Sequence, residues 1–421
     1  MKYFYILFTL LFVISCNKTE YKNSNCDILK QNKFVYDYMQ KNYLWNRELP
    51  SLDYTKYGSP FELLEDLKVK IDRWSFIMPK EVLDAYYSGL GYVGLGLKLK
   101  YFQNELYIAL VYPNSPASRA SLKRGDKVIK INNKATKGKD YNFINSAFGY
   151  DQEGVKVELE IEDKNKTIKP LTLYKEKIIA PSVLEDKIFV VDGIKVGYIL
   201  FDKFIEPSNE ELDRVFKRFK TNDIEKIVID LRYNSGGLVN VANHFVSLLI
   251  GKDYHNEISF KLKFNEDNSF KNQKYFIQNL KESLALYDVY FLTTKRSCSA
   301  SEALINALKP YNIDIHIIGS RTCGKPVGMM GDDFCDFYLM PIEFKITNAN
   351  DEGDYFNGLE ATCLANDNIF YELGDSNESM LKEAFYLMEN GICNTKKASR
   401  VINLAKEPTL NGFREFNGGA F

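Results

Sequence analysis

The spacing of apolar positions divides this chain into three unlike stretches. Between about residues 20 and 88, Val35, Tyr38, Met39 and Leu44 recur at near-helical spacing, with Trp45 following. A second helix opens with Ser59 as N-cap, Pro60 in the first turn and Glu62 placed to close a capping box. It continues through Leu63, Leu64, Leu67 and Ile71. The period then shortens to two. Leu95, Leu97 and Leu99 alternate as in a strand, Gly94 and Gly96 permit close approach of other backbone, and Leu106–Val111 and Val128–Asn133 extend the β pattern. From Lys195 strands and helices alternate. Val196–Phe201 reads as a strand, Ser208–Phe219 as an amphipathic helix, Ile224–Leu231 as a buried strand and Leu238–Ile250 as a helix. A polar, irregular stretch over 251–287 precedes strand-like Val289–Thr293, helix-like Ala303–Leu308 and strand-like Ile313–Ile318. Such alternation predicts a mostly parallel sheet with helices against it.

The chain has 421 residues, room for two or three domains, and 45% apolar with 26% charged residues is globular rather than disordered composition. A net charge of −1 supplies no global field for nucleic acid or an anionic membrane. At the start, Lys2 precedes an apolar run, Tyr3 to Ile14, that is too short to span a bilayer. It stops at Val13-Ile14-Ser15-Cys16, which resembles a bacterial lipoprotein processing box. That resemblance implies a lipidated Cys16 as the mature N-terminus, and hence an exported, membrane-anchored protein facing the periplasm or the cell exterior. Ordinary cleavage near Ser15 is the alternative. Cys26, Cys298, Cys323, Cys335, Cys363 and Cys393 have no C-x-x-C spacing. An exported location permits disulfides without revealing their pairing, and Cys298 and Cys323 read as small buried thiols.

Two residues carry the candidate chemistry. Ser299 lies in Lys295-Arg296-Ser297-Cys298-Ser299-Ala300-Ser301-Glu302, and Lys325 in Thr322-Cys323-Gly324-Lys325-Pro326-Val327-Gly328. A strand–helix–strand unit brings the start of its helix and the end of its last strand to one sheet edge, which would set a hydroxyl beside an amine. Ser299-Ala300-Ser301-Glu302 is also a capping box, so a helix start alone accounts for Ser299 and Glu302; a serine there also lies where the helix dipole favours negative charge. Lys325, taken singly, reads as a solvated loop lysine. The three histidines, His244, His255 and His316, sit in no catalytic pattern, which favours a Ser-Lys pair with a desolvated amine as base over a Ser-His-Asp triad. In Asp230-Leu231-Arg232-Tyr233-Asn234-Ser235-Gly236-Gly237, two glycines after a buried strand let N–H groups approach a reacting atom; a plain strand-to-helix turn is the alternative.

The stretch Ser115–Asn133 resembles a PDZ domain of the bacterial protease type. This implies a loop, Gly94, Leu95, Gly96 and Leu97, that presents N–H groups to a peptide C-terminal carboxylate. Over roughly 90–390, the order PDZ-like block, Asp-Leu-Arg-x-Asn-x-Gly-Gly, Ser-Ala-Ser-Glu and Gly-Lys resembles the carboxyl-terminal processing (tail-specific) peptidases. The resemblance implies Ser299 as nucleophile, Lys325 as general base, and an oxyanion hole from Gly236, Gly237 and Ala300. It implies a crotonase-like (ClpP/crotonase-type) spiral α/β core with an inserted PDZ-like β domain and an N-terminal helical domain. The substrates implied are unfolded or tagged protein C-termini, and no metal, cofactor or nucleic acid is implied. The expected layout is 1–16 lipoprotein signal, 17–88 helical domain, 89–178 PDZ-like domain, 179–395 protease core and 396–421 tail.

Two positions depart from the pattern: Met329 stands where many relatives carry a Gln that orients the lysine, and Ser235 replaces a usual Pro. The Gly324–Gly328 segment and Tyr355-Phe356-Asn357-Gly358-Leu359 with Cys363 resemble a lipoprotein branch of the family. The rival readings are a catalytically inactive peptide-binding lipoprotein on the same scaffold and a surface interaction protein that works through its helical domain.

Overall fold

The computed structural model describes residues 26–394, so the signal with Cys16 and the expected tail lie outside the described residues. Asp27 caps the first helix, Ile28–Asn42, by accepting from Lys30 N at 2.9 Å. Ser59 Oγ accepts from Glu62 N at 3.2 Å at the start of the second, Pro60–Leu67. Val35 and Met39 of the first bury against Leu63, Leu64 and Leu67 of the second. Ile71 is not part of that face. The chain turns extended at Lys68, and Ile71 is 45% exposed. The same apolar cluster takes in Val327, Phe334, Leu339 and Ile342, so the helical unit packs beside the segment that follows Lys325.

The PDZ-like unit is an antiparallel sheet ordered Leu97–Phe102, Glu105–Val111, Lys127–Ile131, Lys156–Glu162, Ile168–Tyr174, with the helix Tyr141–Phe148 against it. Leu97, Leu99 and Tyr101 point into its core with Ile108 and Ile144. The alternate face of that first, edge strand carries Lys98 and Lys100, yet these are only 1% and 7% exposed. Each reaches a carboxylate of the next unit: Lys98 pairs with Asp202 at 2.6 Å and Lys100 with Asp367 at 2.8 Å. Arg124 joins Asp367 at 2.6 Å, and Lys98 Nζ also donates to Tyr233 O at 2.9 Å. A buried ionic seam therefore fixes the PDZ-like unit on the α/β unit.

In that last unit the sheet runs Val183–Val191, Ile194–Phe201, Lys226–Asp230, Asp288–Thr293, Asp314–Gly319, Cys363–Leu364, antiparallel at the first pair and parallel thereafter. Helices Ser208–Thr221, Val239–Tyr254 and Ala300–Leu308 bury Phe216, Phe245 and Leu304 against Ile199, Ile227 and Phe291. Ser379–Asn390 covers the opposite face, with Met380 and Leu381 on Tyr198 and Leu292. The stretch 251–287 is not irregular. Ile258–Phe264 and Gln273–Phe276 are strands that join Phe344–Thr347 and Val327–Gly328 in a four-stranded sheet, with Phe260, Leu262 and Phe264 buried beneath it.

Three disulfides link Cys26–Cys335, Cys298–Cys323 and Cys363–Cys393, with Cα separations of 6.1, 5.2 and 5.4 Å. The reading of Cys298 and Cys323 as separate thiols is thereby corrected. Cys323 N donates to Ser297 O at 3.1 Å, and this pairing of the two loops brings the neighbouring sulfurs into bonding range.

Candidate active site

Four parallel strands, ending at Phe201, Asp230, Thr293 and Gly319, deliver the loops that follow them to one edge of the sheet, the usual place for a site in an α/β fold. Ser299 sits there, one residue before the helix Ala300–Leu308, with φ 55° and ψ −113°. This is a left-handed conformation that a residue with a Cβ adopts only at a cost of about 1–3 kcal/mol, and such residues cluster at functional sites. The surrounding structure enforces it. Cys298 N and Ser301 Oγ both donate to Asn234 O, at 3.1 and 3.0 Å, and Ser297 Oγ to Leu231 O at 2.7 Å. The serine loop is thus tied on both sides of Ser299 to the Asp230–Gly237 loop.

The glycine pair lies directly against it. At Gly236, φ 103°, a Cβ would fall 2.8 Å from Cys298 O, 2.8 Å from Ser299 Cβ and 2.9 Å from Ala300 N. At Gly237, φ 138°, it would fall 2.1 Å from Phe204 O. Their N–H groups differ. Gly236 N–H donates to Asn234 Oδ1 at 2.9 Å, closing the turn, so it is not free for a ligand. Gly237 N–H and Ala300 N–H donate to no atom of the described residues. Of the expected donors, Gly236 therefore makes room while Gly237 and Ala300 offer hydrogens.

Lys325 is 7% exposed, so it is no solvated loop lysine. Its backbone is placed by Glu302, which has no exposed surface. Oε2 of Glu302 accepts from Ser299 N at 3.0 Å and from Lys325 N at 2.8 Å; Oε1 accepts from Gly324 N at 2.7 Å and from Thr322 Oγ1 at 2.5 Å. Burial pushes the Glu302 carboxyl up, and the donors from Thr322, Lys325, Gly324 and Ser299 oppose that shift. Sequence reasoning read Glu302 as a helix cap; its bonds to 322–325 depend on a tertiary approach that no local pattern signals. Met329 packs among the apolar residues beneath the helical unit and supplies no polar group. His244 Nε2 lies 2.8 Å from Asp213, and His316 stacks on Tyr290 at 4.4 Å and faces Asp288 at 3.6 Å, so both are engaged away from this cluster. Cys298, Glu302 and Cys323 group as metal-ligand types, but the two sulfurs are bonded to each other and the carboxylate already has four donors.

The loop Gly94, Leu95, Gly96, Leu97 is buried in the PDZ-like unit. Leu95 O accepts from Ala117 N at 3.0 Å and Gly96 O from Tyr112 N at 2.9 Å, while the N–H groups of Leu95 and Gly96 donate to no backbone atom of the described residues. Gly96, φ 81°, is obligatory, because a Cβ would meet Ser115 Cβ at 2.2 Å. A polar chain links the neighbouring edge strand to the serine loop: Arg296 Nη2 donates to Tyr141 Oη at 2.6 Å, and Tyr141 Oη to Leu99 O at 3.3 Å.

Comparison with known proteins places these features. Family models match in chain order: Peptidase S41 N-terminal domain over 30–76, PDZ domain over 84–140 and Peptidase family S41 over 195–339. A "Probable CtpA-like serine protease" of Staphylococcus aureus (strain N315) is 29% identical over 328 residues, 77% of this chain and 61% of that protein. One of Staphylococcus saprophyticus subsp. saprophyticus is 30% identical over 280 residues, 66% of this chain and 53% of that protein. The chain thus spans 53–61% of the length of these curated relatives. A crystal structure titled "Putative S41 protease" from Bacteroides fragilis NCTC 9343 matches with TM-score 0.69 at 25% identity, over 84% of this chain and 96% of that one. The photosystem II D1 C-terminal processing protease shares the fold with TM-score 0.53 at 16% identity, over 80% and 92%. With the N-terminal, PDZ and peptidase models matched in that order along one chain, the protein belongs to peptidase family S41.

Proposed function

We propose that the protein is an exported, lipid-anchored serine endopeptidase that cuts protein chains near their C-termini, with Ser299 and Lys325 as its dyad. The observation that carries the dyad is that one oxygen of Glu302 accepts from the backbone N–H of both residues. Ser299 Oγ attacks the scissile carbonyl carbon while its proton passes to Lys325 Nζ; the carbonyl oxygen, now an anion, takes hydrogen bonds from Gly237 N–H and Ala300 N–H. The tetrahedral intermediate expels the amine, which leaves with the proton from Lys325, and an ester to Ser299 remains. Water, deprotonated by the same lysine, hydrolyses that ester. An inactive scaffold is disfavoured, because nothing in a peptide-binding role requires a buried lysine, a left-handed serine and two unengaged N–H groups at one sheet edge.

The PDZ-like unit receives the substrate's end at Leu95–Leu97, a carboxylate there gaining about 1.5–3 kcal/mol from charge-assisted hydrogen bonds. Cys16 carries the lipid, and mass spectrometry of the mature N-terminus tests that. Cleavage of an unstructured peptide with an apolar C-terminus tests the dyad. Wild type is expected to cut it, and Ser299→Ala and Lys325→Ala to leave it intact while remaining folded. Full activity in purified Ser299→Ala would refute the assignment.

A further inference from the structure

We infer that Glu302 is the positioning residue of this site, the group that sets Ser299 against Lys325 where Met329 supplies nothing to do so. The inference deepens the proposed function and rests on it. A helix cap needs one bond from Glu302, to Ser299 N. Here the carboxylate accepts three more, from Lys325 N, Gly324 N and Thr322 Oγ1, all on the other side of the site. None of these three contributes to starting the helix Ala300–Leu308. Their common effect is to fix the turn that carries Lys325 relative to the residue that carries the hydroxyl.

The chemistry of the side chain is specific. Four donors converge on two oxygens, two on each, around a carboxylate with no exposed surface. Only an ionised carboxylate accepts at all four; an amide turns its NH2 toward Ser299 N and Lys325 N in one flip and toward Gly324 N in the other, and a backbone N–H can only donate. The turn is also held beside the carboxylate, with Cys323 N donating to Ser297 O at 3.1 Å and Thr322 N to Leu359 O at 3.1 Å, but the N–H groups of Gly324 and Lys325 are the ones that Glu302 takes. Cys298–Cys323 joins the same two segments just outside the carboxylate. The disulfide limits how far the segments part, and Glu302 fixes how their N–H groups face.

The test compares full-length wild type, Ser299→Ala, Glu302→Gln and Glu302→Asp. The readouts are kcat and KM on an unstructured peptide, the rate at which a fluorophosphonate phosphonylates Ser299 Oγ with loss of fluoride, and circular dichroism with thermal melting. For Glu302→Gln, kcat and the phosphonylation rate are expected to fall about 100-fold, the usual consequence of misplacing reacting groups by about 1 Å, with KM changed less than about threefold. Glu302→Asp keeps the charge and is expected to retain more activity than Glu302→Gln. A merely structural role would lower the melting temperature and leave kcat per folded molecule unchanged; that outcome overturns the inference alone. Should Glu302→Gln fail to fold, Glu302→Asp decides, and wild-type kcat and phosphonylation rate in it would overturn the inference. Wild type with no Ser299-dependent cleavage or labelling overturns the proposed function and this inference with it.

Discussion

Replacing Gly236 by alanine should disable the site while leaving the fold nearly intact. The new Cβ meets Cys298 O and Ser299 Cβ at 2.8 Å and Ala300 N at 2.9 Å, and all three belong to the serine loop. Carbon atoms pack comfortably at about 3.5–4.0 Å, so one of the two loops must yield by roughly 0.7 Å. Neither yields freely. The serine loop is tied to Asn234 O and Leu231 O, and Phe204 N to Gly236 O at 3.0 Å. Holding alanine at φ 103° adds about 1–3 kcal/mol of backbone strain, within the roughly 5–15 kcal/mol by which proteins are stable. A shift approaching 1 Å at the nucleophile and at the Ala300 donor costs about 2.7 kcal/mol in the transition state, or about 100-fold in kcat. The assay is steady-state cleavage of a quenched peptide alongside thermal melting of the same preparation. A folded Gly236→Ala protein with wild-type kcat would show that the close approach of these loops has no part in catalysis.

Three further outcomes follow from the seam and the disulfides. Lys98→Met leaves Asp202 buried with Tyr112 Oη, at 2.7 Å, as its remaining side-chain hydrogen-bond partner among the described residues and Lys203 as a nearby cation; urea denaturation should show a loss of about 3–5 kcal/mol, and adding Asp202→Asn should recover part of it, whereas additive losses would count against the pairing. Burial pushes the Asp367 carboxyl up, but Lys100, Arg124 and Arg232 more than offset this and hold it well below its ordinary value of 3.8. Its stabilisation is therefore complete above that value and lost as pH falls beneath it, so wild type should lose stability below pH 3.8 more steeply than Asp367→Asn in acid titrations followed by circular dichroism. Peptide mapping without reduction should recover Cys298 linked to Cys323, and the double Cys→Ser variant should lose about 2–4 kcal/mol.

The parts of this fold that the sequence displays are those set by local pattern. Apolar runs such as Ile224–Leu231 announce buried strands, and Ser59-Pro60 announces a helix start; both appear within a few residues of where they are read. The strand Ile258–Phe264 is missed although Ile258, Phe260, Leu262 and Phe264 alternate, because its polar flanks mask an alternating run of only seven residues. Lys98 and Lys100 mislead for a physical reason. Alternation identifies which residues leave the PDZ-like core, but a second core, not water, lies on their side. The glycine pair and Ser299 are legible as motifs, yet the division of labour between Gly236 and Gly237 depends on where Asn234 Oδ1 lies. The clamp at Glu302 depends on the approach of 322–325, and that information is tertiary.

The Cys26–Cys335 bridge closes a covalent ring of more than three hundred residues, with the whole PDZ-like unit and the serine loop inside it. A single cut anywhere within that ring opens it without separating anything. For an enzyme proposed to work among unfolded chains, its own copies are ever-present substrates, and self-nicking in a loop would yield one intact particle rather than two fragments. Such nicked molecules would migrate as full-length protein on a gel until reductant is added. Only with the bridge reduced would their history of self-cleavage be visible.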